Sequence, residues 1–441
     1  MATSDYAKKY PITTVEGGPI AGIVGGIFLA RLLNENNVIV IDGGSTTTKA
    51  GLAKDLTPQV STEYWIEQDE WNAGYPLRVP TLDIHEIGLG GTSIIWIDNA
   101  SNLRVGPKAA GARPGPACYG VGGNKPTLTD AYVVAGYLNP KYLLGGRLKI
   151  FKDKALNALS SIAKSLDQDI MEVAYGAIKI ANDFAANLIR QISVKRGYDP
   201  REFTLVAHGG AGPMFASFIA EELQIPNIVV PSIPSGVFNA WGMTGLGVRH
   251  ELVQTNIMLI RESKECINFM NRIFEELEEE VKGMFKSEGI EPCTVEVLKY
   301  LDLRYEGQTH TLKIPCLSTK LEDLKEIMER FHEAHYGEYG FRLPEGNIEV
   351  VSFHVVGIHR VAPPSIKRMS SQGSLKDAYL GERNMYMGNK EVFVPIYKKE
   401  KLPPNVTLSG PCIIEGETST AIITQNFKAF CDEYGNIILK R

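Results

Sequence analysis

The chain of 441 residues is 44% hydrophobic and 22% charged, with a formal net charge of −5, which is ordinary for a globular protein of two or three domains. Because lysine and arginine are not in excess, we expect no broad basic face and no nucleic-acid partner. We expect neither a signal peptide nor an apolar run of the roughly 18–20 residues that span a bilayer, and therefore a cytoplasmic protein without a membrane partner.

The first part of the chain alternates predicted helices and strands. Small apolar residues at helical spacing predict a helix over 18–33, whose glycines permit close packing on a sheet. A β-branched run predicts a buried strand over 37–42, and "TKAGLA" (48–53) predicts the strand that returns after a tight turn. Further on, the pattern predicts loops and short strands over 86–123, helices over most of 151–197, and strand, glycine turn and helix over 203–224.

From about residue 255 the pattern changes. Charged amphipathic helices are predicted over 262–289 and 320–340, with a pair of antiparallel strands over 293–316 between them. Alternating segments after residue 348 predict further strands. The sequence therefore predicts an α/β domain over 1–254 and an α+β, mainly β domain over 255–441.

The stretch "NVIVIDGGSTTTKAGL" (37–52) joins an apolar strand to a glycine- and hydroxyl-rich turn. Glycines let backbone N–H groups converge on an anion, and the hydroxyls of Ser45, Thr46 and Thr47 add donors. Asp42 would then hold a magnesium ion or a water near a phosphate, and Lys49 would neutralise charge or alternate outward. The turn is neither a Walker A nor a GxGxxG motif, so a tight hairpin is the alternative.

A second glycine turn, "HGGAGP" (208–213), also lies between a strand and a helix. Its glycines would let a sugar or base lie against bare backbone at a helix N-terminus, although a close-packed turn is the alternative. Two such turns in one α/β segment suit a cleft that holds phosphates on one side and adenosine on the other.

Three further groups of residues could carry chemistry. Asp83 and His85 alternate onto one strand face, where they could share a metal such as zinc or make structural hydrogen bonds. Cys118 and Asp130 could be further ligands or substrate contacts, but a buried cysteine is more often a small hydrophobe, and the six cysteines contain no CxxC pair. His332 and His335 stand at i and i+3 on a charged helix, which we interpret as a solvated face without a metal.

Several long motifs, in order along the chain, resemble the hydantoinase/oxoprolinase A-type family, which includes N-methylhydantoinase, 5-oxoprolinase, and acetone and acetophenone carboxylase subunits. The motifs are "PITTVEGGPIAGIVGG", "VIDGGSTTTKAGL", "GYPLRVPTLDIHEIGLGGTSIIWID", "LRVGPKAAGARPGPACYGVGG", "PTLTDAYVVAGYL", "ISVKRGYDPREFTLVAHGGAGPMFA", "DLRYEGQTHTL", "FHEAHYGEYGFRLPEGNIEVVSFHVVG" and "LSGPCIIEGETSTAIIT".

The resemblance implies an α/β lobe of the actin, sugar-kinase and chaperone-ATPase (ribonuclease H-like) type. It also implies ATP, with magnesium or manganese, used to phosphorylate a substrate carbonyl oxygen before a cyclic amide is hydrolysed. By motif match, Asp42 to Lys49, with Gly43 and Gly44, would be the second phosphate loop. The adenosine side would be Gly209, Gly210, Ala211, Gly212 and Pro213, together with 235–240.

The chain also departs from the family pattern. Nothing resembles the "DxGGTFTD"-like first phosphate loop of the usual N-terminal lobe, so we expect a separate chain to supply that lobe beside a hydantoinase B-type subunit. Ser45 and Thr92 stand where glycine is common, and His208 where an aromatic residue is common. We therefore predict little or no ATPase activity for the isolated chain. A ketone carboxylase subunit and a non-catalytic scaffold are the alternatives to a cyclic-amide hydrolase.

Overall fold

The computed structural model describes residues 4–61, 64–66, 72, 74–77, 81–318, 320–369 and 373–441. The helices are α1 (Ser4–Lys9), α2 (Gly17–Leu32), α3 (Leu128–Val134), α4 (Lys152–Leu166), α5 (Ile170–Ile192), α6 (Gly212–Leu223), α7 (Phe238–Thr244), α8 (Lys264–Ser287), α9 (Lys325–Tyr339) and α10 (Leu375–Ala378). The strands are β1 (Val38–Gly43), β2 (Thr48–Lys54), β3 (Thr57–Pro58), β4 (Val60–Ser61), β5 (Tyr64–Ile66), β6 (Tyr75–Leu77), β7 (Thr81–Leu82), β8 (Ile84–Ile87), β9 (Ser93–Ile97), β10 (Leu103–Ala109), β11 (Thr204–His208), β12 (Asn227–Val230), β13 (Val248–Leu259), β14 (Val295–Tyr305), β15 (Leu312–Cys316), β16 (Ile348–His359), β17 (Tyr379–Met387), β18 (Lys390–Lys398), β19 (Thr407–Ser409), β20 (Cys412–Glu415), β21 (Thr420–Ile423), β22 (Lys428–Cys431) and β23 (Ile437–Lys440).

The largest sheet that the described residues form has the order β19-β22-β23-β12-β11-β1-β2-β3, with β8 also paired to β2. The central strand β1 runs parallel to β11 and antiparallel to β2. Alternate side chains of β1 point to opposite faces. Ile39 and Ile41 join the core that includes α5 and α6, whereas Val38 and Val40 join the core that includes α2. The sheet is thus covered by helices on both faces, which explains its apolar central strands.

Helix α2 packs very closely on its neighbours through glycine. A Cβ on Gly26 would lie 2.4 Å from Cγ2 of Val40 on β1, and one on Gly25 would lie 3.3 Å from Cα of Gly242 on α7. The close packing that the glycines of 18–33 predict is therefore observed. The expectation that no apolar segment is long enough to span a bilayer is wrong. By length and composition alone, Pro11–Leu32 is long and apolar enough to cross a membrane. A helix that is buried in a core passes the same test, and much of α2 is buried in this way.

The chain forms two compact units. One contains Glu16–Gly245 and Pro363–Arg441, and the other contains the N-terminal residues up to Val15 and Leu246–Ala362. A single division after residue 254 does not separate these units, because β23 pairs with β12 and so returns the C-terminal segment to the large sheet. As sequence domains, 1–254 and 255–441 stay a prediction.

The second unit contains an antiparallel sheet of order β13-β16-β14-β15. The apolar sides of α8 and α9 pack on it, around Phe274, Phe331 and Phe353. The predicted amphipathic helices and antiparallel strands are therefore observed here. The first unit carries another sheet, β17-β18-β20-β21, whose apolar residues belong to the same core as α5 and α6.

Candidate functional site

The two glycine turns lie side by side at the carboxyl ends of β1 and β11. Asp42 and His208 are register partners on these parallel strands, so the turns that follow them begin at the same edge of the sheet. The backbone N–H of Ala211 donates to the carbonyl oxygen of Gly43 at 2.8 Å. A Cβ on Gly43 would lie 2.2 Å from the backbone nitrogen of Gly212, so only glycine permits this approach.

The second turn needs glycine for a further reason. Gly209 has φ +78°, and a Cβ there would lie 2.4 Å from the carbonyl oxygen of Gly43. The next residues open α6, whose N-cap, Ala211, has no side chain that could accept a hydrogen bond, while Pro213 lies in the first turn. The first N–H groups of a helix lack partners within the helix, and they favour an anion or a dipole at that end.

The first turn, residues 44–47, is braced by the segment 88–93. Within the turn, the N–H of Gly44 donates to the carbonyl of Thr47 at 3.0 Å. The Gly44 carbonyl accepts from the N–H of Gly91 at 3.2 Å. The Ser45 carbonyl accepts both the N–H and the hydroxyl of Thr92, at 2.7 and 2.8 Å. Both carbonyls are thus engaged by the bracing segment, while Ser45 and Thr46 are exposed.

A cavity of about 180 Å³ adjoins both turns. Gly44, Ser45, Gly210 and Ala211 form part of its wall. The rest of the wall comes from 91–92, from the region of α3 and the residues after it, and from the loop between β20 and β21. The structure therefore brings together four of the residues that the sequence predicts for phosphate and adenosine.

Asp42 and Lys49 line a different and much smaller hollow, of about 10 Å³, together with His208. They are register partners on β1 and β2 and lie on the sheet face that α2 covers. Oδ2 of Asp42 accepts from Nδ2 of Asn239 at 2.9 Å, and its Oδ1 lies 3.7 Å from Nδ1 of His208. The Asp42 side chain is 24% exposed, so its carboxylate can still contact a ligand.

Lys49 is held by two carboxylates. Its Nζ lies 3.2 Å from Oε2 of Glu16 and 3.3 Å from Oε2 of Glu86. Burial lowers the pKa of Lys49, but Glu16 and Glu86 outweigh burial and raise it above the ordinary lysine value. Lys49 is therefore charged, and its charge is already balanced by two carboxylates.

His208 is almost completely buried, and its ring packs at 4.4 Å between centroids on Phe238. Neither ring nitrogen has a hydrogen-bond partner among the described residues. Burial lowers the pKa of His208 to about 4, although the nearby Asp42 carboxylate opposes that shift. The imidazole is therefore neutral at pH 7 and packs in the core as an apolar ring would.

Asp83 and His85 lie together as the strand pattern predicts, with His85 Nε2 3.5 Å from Asp83 Oδ1. The Asp83 carboxylate, however, also pairs with Arg196 at 3.0 Å, and His85 Nδ1 lies 3.4 Å from Oε1 of Gln191. Within the described residues there is no group of three or more His, Cys, Asp or Glu side chains that could hold a metal. This arrangement fits structural hydrogen bonds better than a zinc site.

The other candidates have structural partners. Asp130 accepts from the backbone N–H groups of Cys118 and Ala117 and from Thr127, which completes the capping box at the start of α3. Cys118 is buried, and burial raises the pKa of its thiol.

His332 and His335 are buried rather than solvated. His332 Nδ1 lies 2.6 Å from the Tyr305 hydroxyl, and His335 Nδ1 lies 2.9 Å from the Phe341 carbonyl. The prediction of a solvated face is therefore wrong for these two side chains, because the i, i+3 spacing turns them toward β14.

Three parts of the site were not found from the sequence. Thr92 was noted only as a departure from the family pattern, yet it braces the first turn. Thr129 donates its hydroxyl to the Gly91 carbonyl at 2.6 Å and so supports the same segment. The loop 415–420 joins the cavity wall from a segment about 370 residues after the first turn, which no local pattern could reveal.

Comparison with known proteins gives the family. Residues 1–251 match the sequence profile of the hydantoinase/oxoprolinase family, and residues 260–441 match that of the hydantoinase/oxoprolinase C-terminal domain. The chain belongs to the hydantoinase/oxoprolinase family. The resemblance inferred from the motifs is thus confirmed.

Three relatives illustrate the breadth of the family. An uncharacterized protein of Methanocaldococcus jannaschii is 37% identical over 99% of this chain and 63% of its own length. Caprolactamase subunit alpha of Pseudomonas jessenii is 28% identical over 98% of this chain and 62% of its own. Acetophenone carboxylase gamma subunit of Aromatoleum aromaticum is 30% identical over 99% of this chain and 61% of its own. The chain thus spans a little less than two thirds of the length of these relatives.

The predicted fold class is also confirmed. The crystal structure of the ATP-dependent caprolactamase from Pseudomonas jessenii superposes with a TM-score of 0.79 and 27% identity, over 97% of this chain and 62% of that one. The mixed α/β content, with strands concentrated toward the C-terminus, is that of the actin-like ATPase fold with the C-terminal region of this family.

Proposed function

We propose that this chain is the nucleotide-binding component of an ATP-dependent enzyme that opens a cyclic amide. The observation that carries the proposal is the joining of two glycine turns, 43–47 and 209–212, at one edge of the sheet, where Ala211 bonds to Gly43. Such an edge, beyond the carboxyl ends of parallel strands, is where open α/β sheets bind ligands.

The residues of the site fit ATP. The loop 44–47 offers exposed hydroxyls and has its carbonyls engaged elsewhere, which suits phosphate oxygens. Gly210 is exposed, and a Cβ on it would meet open space, so a sugar or base can lie against its backbone. ATP, when bound, supplies the phosphoryl group that activates a carbonyl oxygen of the substrate. The loop 44–47 would hold and orient the phosphates at this edge of the sheet.

Asp42 is the residue that would hold a magnesium or manganese ion. Magnesium is usually held by one or two carboxylates together with substrate phosphates and waters, so a three-residue cage is not required. Asn239 donates to one oxygen of Asp42 and fixes the carboxylate at the end of β1. Zinc at Asp83 and His85 is not part of the proposal, because Arg196 already occupies the Asp83 carboxylate.

The enzyme would contain further subunits. Caprolactamase subunit alpha and acetophenone carboxylase gamma subunit are each named as one subunit of an assembly. We extend this to a hydantoinase B-type subunit, and to a first phosphate loop contributed from outside these 441 residues. The low ATPase activity expected of the chain alone follows, because phosphoryl transfer needs charge stabilisation from both sides. Steady magnesium-dependent turnover by the pure chain would contradict this expectation.

A ketone carboxylase subunit is the second candidate, because acetophenone carboxylase gamma subunit is 30% identical over nearly the whole chain. Both candidates use the same nucleotide site. They differ in whether an activated lactam is attacked by water or an enol is carboxylated, which a product assay on the assembled complex distinguishes.

The nucleotide site is tested by placing a methyl group where the ligand would lie. Gly210→Ala adds a Cβ that meets nothing in the fold, so stability should hold, while the affinity for a non-hydrolysable ATP analogue with Mg²⁺ should fall at least about tenfold. Gly283→Ala, another glycine in open space but on α8, is the matched control and should bind as the wild type does. Isothermal titration calorimetry measures both. Equal affinity in all three proteins, or no binding by the wild type, would refute the site.

A further inference from the structure

The segment 139–148 forms part of the wall of the cavity beside the glycine turns. It begins at Asn139, whose Nδ2 donates to Oε2 of the buried Glu415 at 3.0 Å, and it is followed by the buried Ile150. Between these two anchors, Leu144 belongs to the cavity wall and is also 42% exposed. The segment is therefore a thin layer between the cavity and solvent.

The backbone hydrogen bonds of this segment are internal to it. The N–H of Tyr142 donates to the Asn139 carbonyl, and the N–H groups of Arg147 and Leu148 donate to carbonyls within 143–144. In the part of the chain that the structure describes, no backbone hydrogen bond joins 140–148 to another element. A segment whose backbone bonds are self-contained can move as one piece without losing them.

Side-chain contact with the opposite wall holds the segment in place. Nη2 of Arg147 lies 2.8 Å from Oε1 of Glu417, and a Cβ on Gly145 would lie 3.0 Å from Cγ of the same glutamate. The side chains of Arg147 and Glu417 are 68% and 55% exposed. Because water and salt screen an exposed ion pair, this contact contributes little to stability and breaks readily.

The tip of the segment has a strained backbone. Leu144 has φ +50° and ψ +46°, and the two glycines that follow it have φ +67° and +84°. The left-handed conformation is unfavourable for leucine, because its Cβ approaches the following carbonyl oxygen. The fold accepts this strain and so places Leu144 at the cavity wall. Strain of this kind is concentrated at ligand clamps and switch segments.

We propose that residues 139–148 form a lid over the nucleotide site, which the Arg147–Glu417 pair holds closed and which opens to admit and release the nucleotide. The inference rests on the proposed function, because the cavity beneath the lid adjoins both glycine turns. Opening precedes association and dissociation alike, so the lid controls the rates of nucleotide exchange more than the affinity.

A disulfide across the closed lid tests this role. Since Cβ of Glu417 is one bond beyond its Cγ, it lies at most about 4.5 Å from a Cβ on Gly145, within the range that a disulfide bridges. The double variant Gly145→Cys/Glu417→Cys is made with Cys293→Ser, which removes the exposed native cysteine. Failure of the disulfide to form would contradict the closed geometry.

The bridged protein is loaded with a fluorescent non-hydrolysable ATP analogue and Mg²⁺ before oxidation, and is then chased with unlabelled analogue. We expect dissociation to be at least about tenfold slower in the oxidised protein than in the same protein after reduction. The reduced protein is the matched control, because it carries the same substitutions. Equal rates in the two states would overturn the inference.

Breaking the ion pair should have the opposite effect. Arg147→Met should raise the association and dissociation rates of the analogue together, by about 2- to 5-fold, and change the affinity by less than about twofold. Arg190→Met removes an arginine from another ion pair, with Glu222 on α6, and should keep the rates of the wild type. Faster dissociation without faster association would show that Arg147 contacts the nucleotide directly and would overturn the gating role.

Spin labels distinguish failure of the lid from failure of the nucleotide site. Labels on Lys141→Cys in the lid and Lys164→Cys on α4, both exposed positions, report lid opening without nucleotide in the Cys293→Ser protein. Arg147→Met should broaden the distribution of distances between the labels, and an unchanged distribution would refute the lid. If the distribution broadens but no analogue binds with Mg²⁺, the proposed nucleotide site fails, and with it the role of the segment in nucleotide exchange.

Discussion

His208 should make the stability of this chain depend on pH in a defined direction. Its buried imidazole has a pKa of about 4 in the native state, against about 6.5 when exposed in the unfolded chain. Because the native value is the lower one, the unfolded state takes up a proton first as the pH falls. Stability is therefore complete above pH 6.5 and is lost progressively as the pH falls from about 6.5 to about 4.

The size of the effect follows from these two values. Between pH 8 and pH 5, His208 should reduce the free energy of unfolding by about 2 kcal/mol, on a scale of 1.36 kcal/mol for each pKa unit. His208→Phe removes the titrating group and both unpartnered nitrogens, and it keeps a ring that can pack on Phe238. The variant should therefore gain stability at pH 5 relative to the wild type, and gain less at pH 8.

Urea denaturation at pH 5, 6, 7 and 8, with a chelator present so that no metal contributes, measures this difference. His310, an exposed histidine, supplies the control His310→Phe, which should leave the pH dependence of the wild type unchanged. If His208→Phe and the wild type lose stability equally between pH 8 and pH 5, the reasoning from burial is wrong.

Two further substitutions test the packing around the site. Thr92→Val keeps the volume of the side chain but removes the hydroxyl that donates to the Ser45 carbonyl. Urea denaturation should show that the free energy of unfolding falls by about 1 kcal/mol, and the ATP analogue should bind severalfold more weakly. Unchanged values of both would show that Thr92 does not brace the turn. Gly26→Ala places a Cβ 2.4 Å from Cγ2 of Val40 and should lower the free energy of unfolding by about 1–3 kcal/mol relative to the control Gly283→Ala. The control gains the same helix propensity without the contact. Equal stability of the two variants would contradict the close approach of α2 to β1.

Local patterns predict the parts of the site, and tertiary pairing decides what they do together. The glycine turns at 43–47 and 209–212 are visible in the sequence, since a strand that ends in glycines predicts a tight turn. That they meet depends on the parallel pairing of β1 with β11, whose residues lie more than 160 positions apart. The cavity wall at 415–420 is more remote still. It adjoins the turns because β21, which follows that loop, packs on α6, where the Ser217 hydroxyl donates to the Ile422 carbonyl.

For Lys49 and for the two histidines of α9, partners from other elements decide the role of the side chains. The sequence leaves open whether Lys49 neutralises a phosphate or alternates outward, and Glu16 and Glu86, which reach it from other elements, balance its charge. His332 and His335 were considered solvated because charged residues surround them in sequence, but the helix turns both toward Tyr305 and the core. In each case the partner comes from another element, which local composition cannot predict.

The charge around Asp42 leads to a last prediction, on the role of the metal. Three carboxylates and one ammonium group leave a formal charge of −2 on the face of the sheet beside the phosphate loop. The carboxylates are those of Asp42, Glu16 and Glu86, and the ammonium group is that of Lys49. Of the described residues that line either hollow, Lys49 is the cation, and it is already paired. The carboxylates therefore repel the phosphates of a nucleoside triphosphate at this edge unless a divalent cation binds between Asp42 and the phosphates.

Removal of the metal should accordingly abolish nucleotide binding rather than merely slow turnover. We expect the ATP analogue to bind at least about tenfold more weakly in a chelator than with Mg²⁺, and Asp42→Asn to lose most of this metal dependence because it removes the carboxylate that would share the ion. Calorimetric titrations of the wild type and the variant, each with Mg²⁺ and with a chelator, form a complete cycle. If the wild type binds equally well under both conditions, then the cation that balances the phosphates comes from the protein, and the assignment of Asp42 as the metal ligand is wrong.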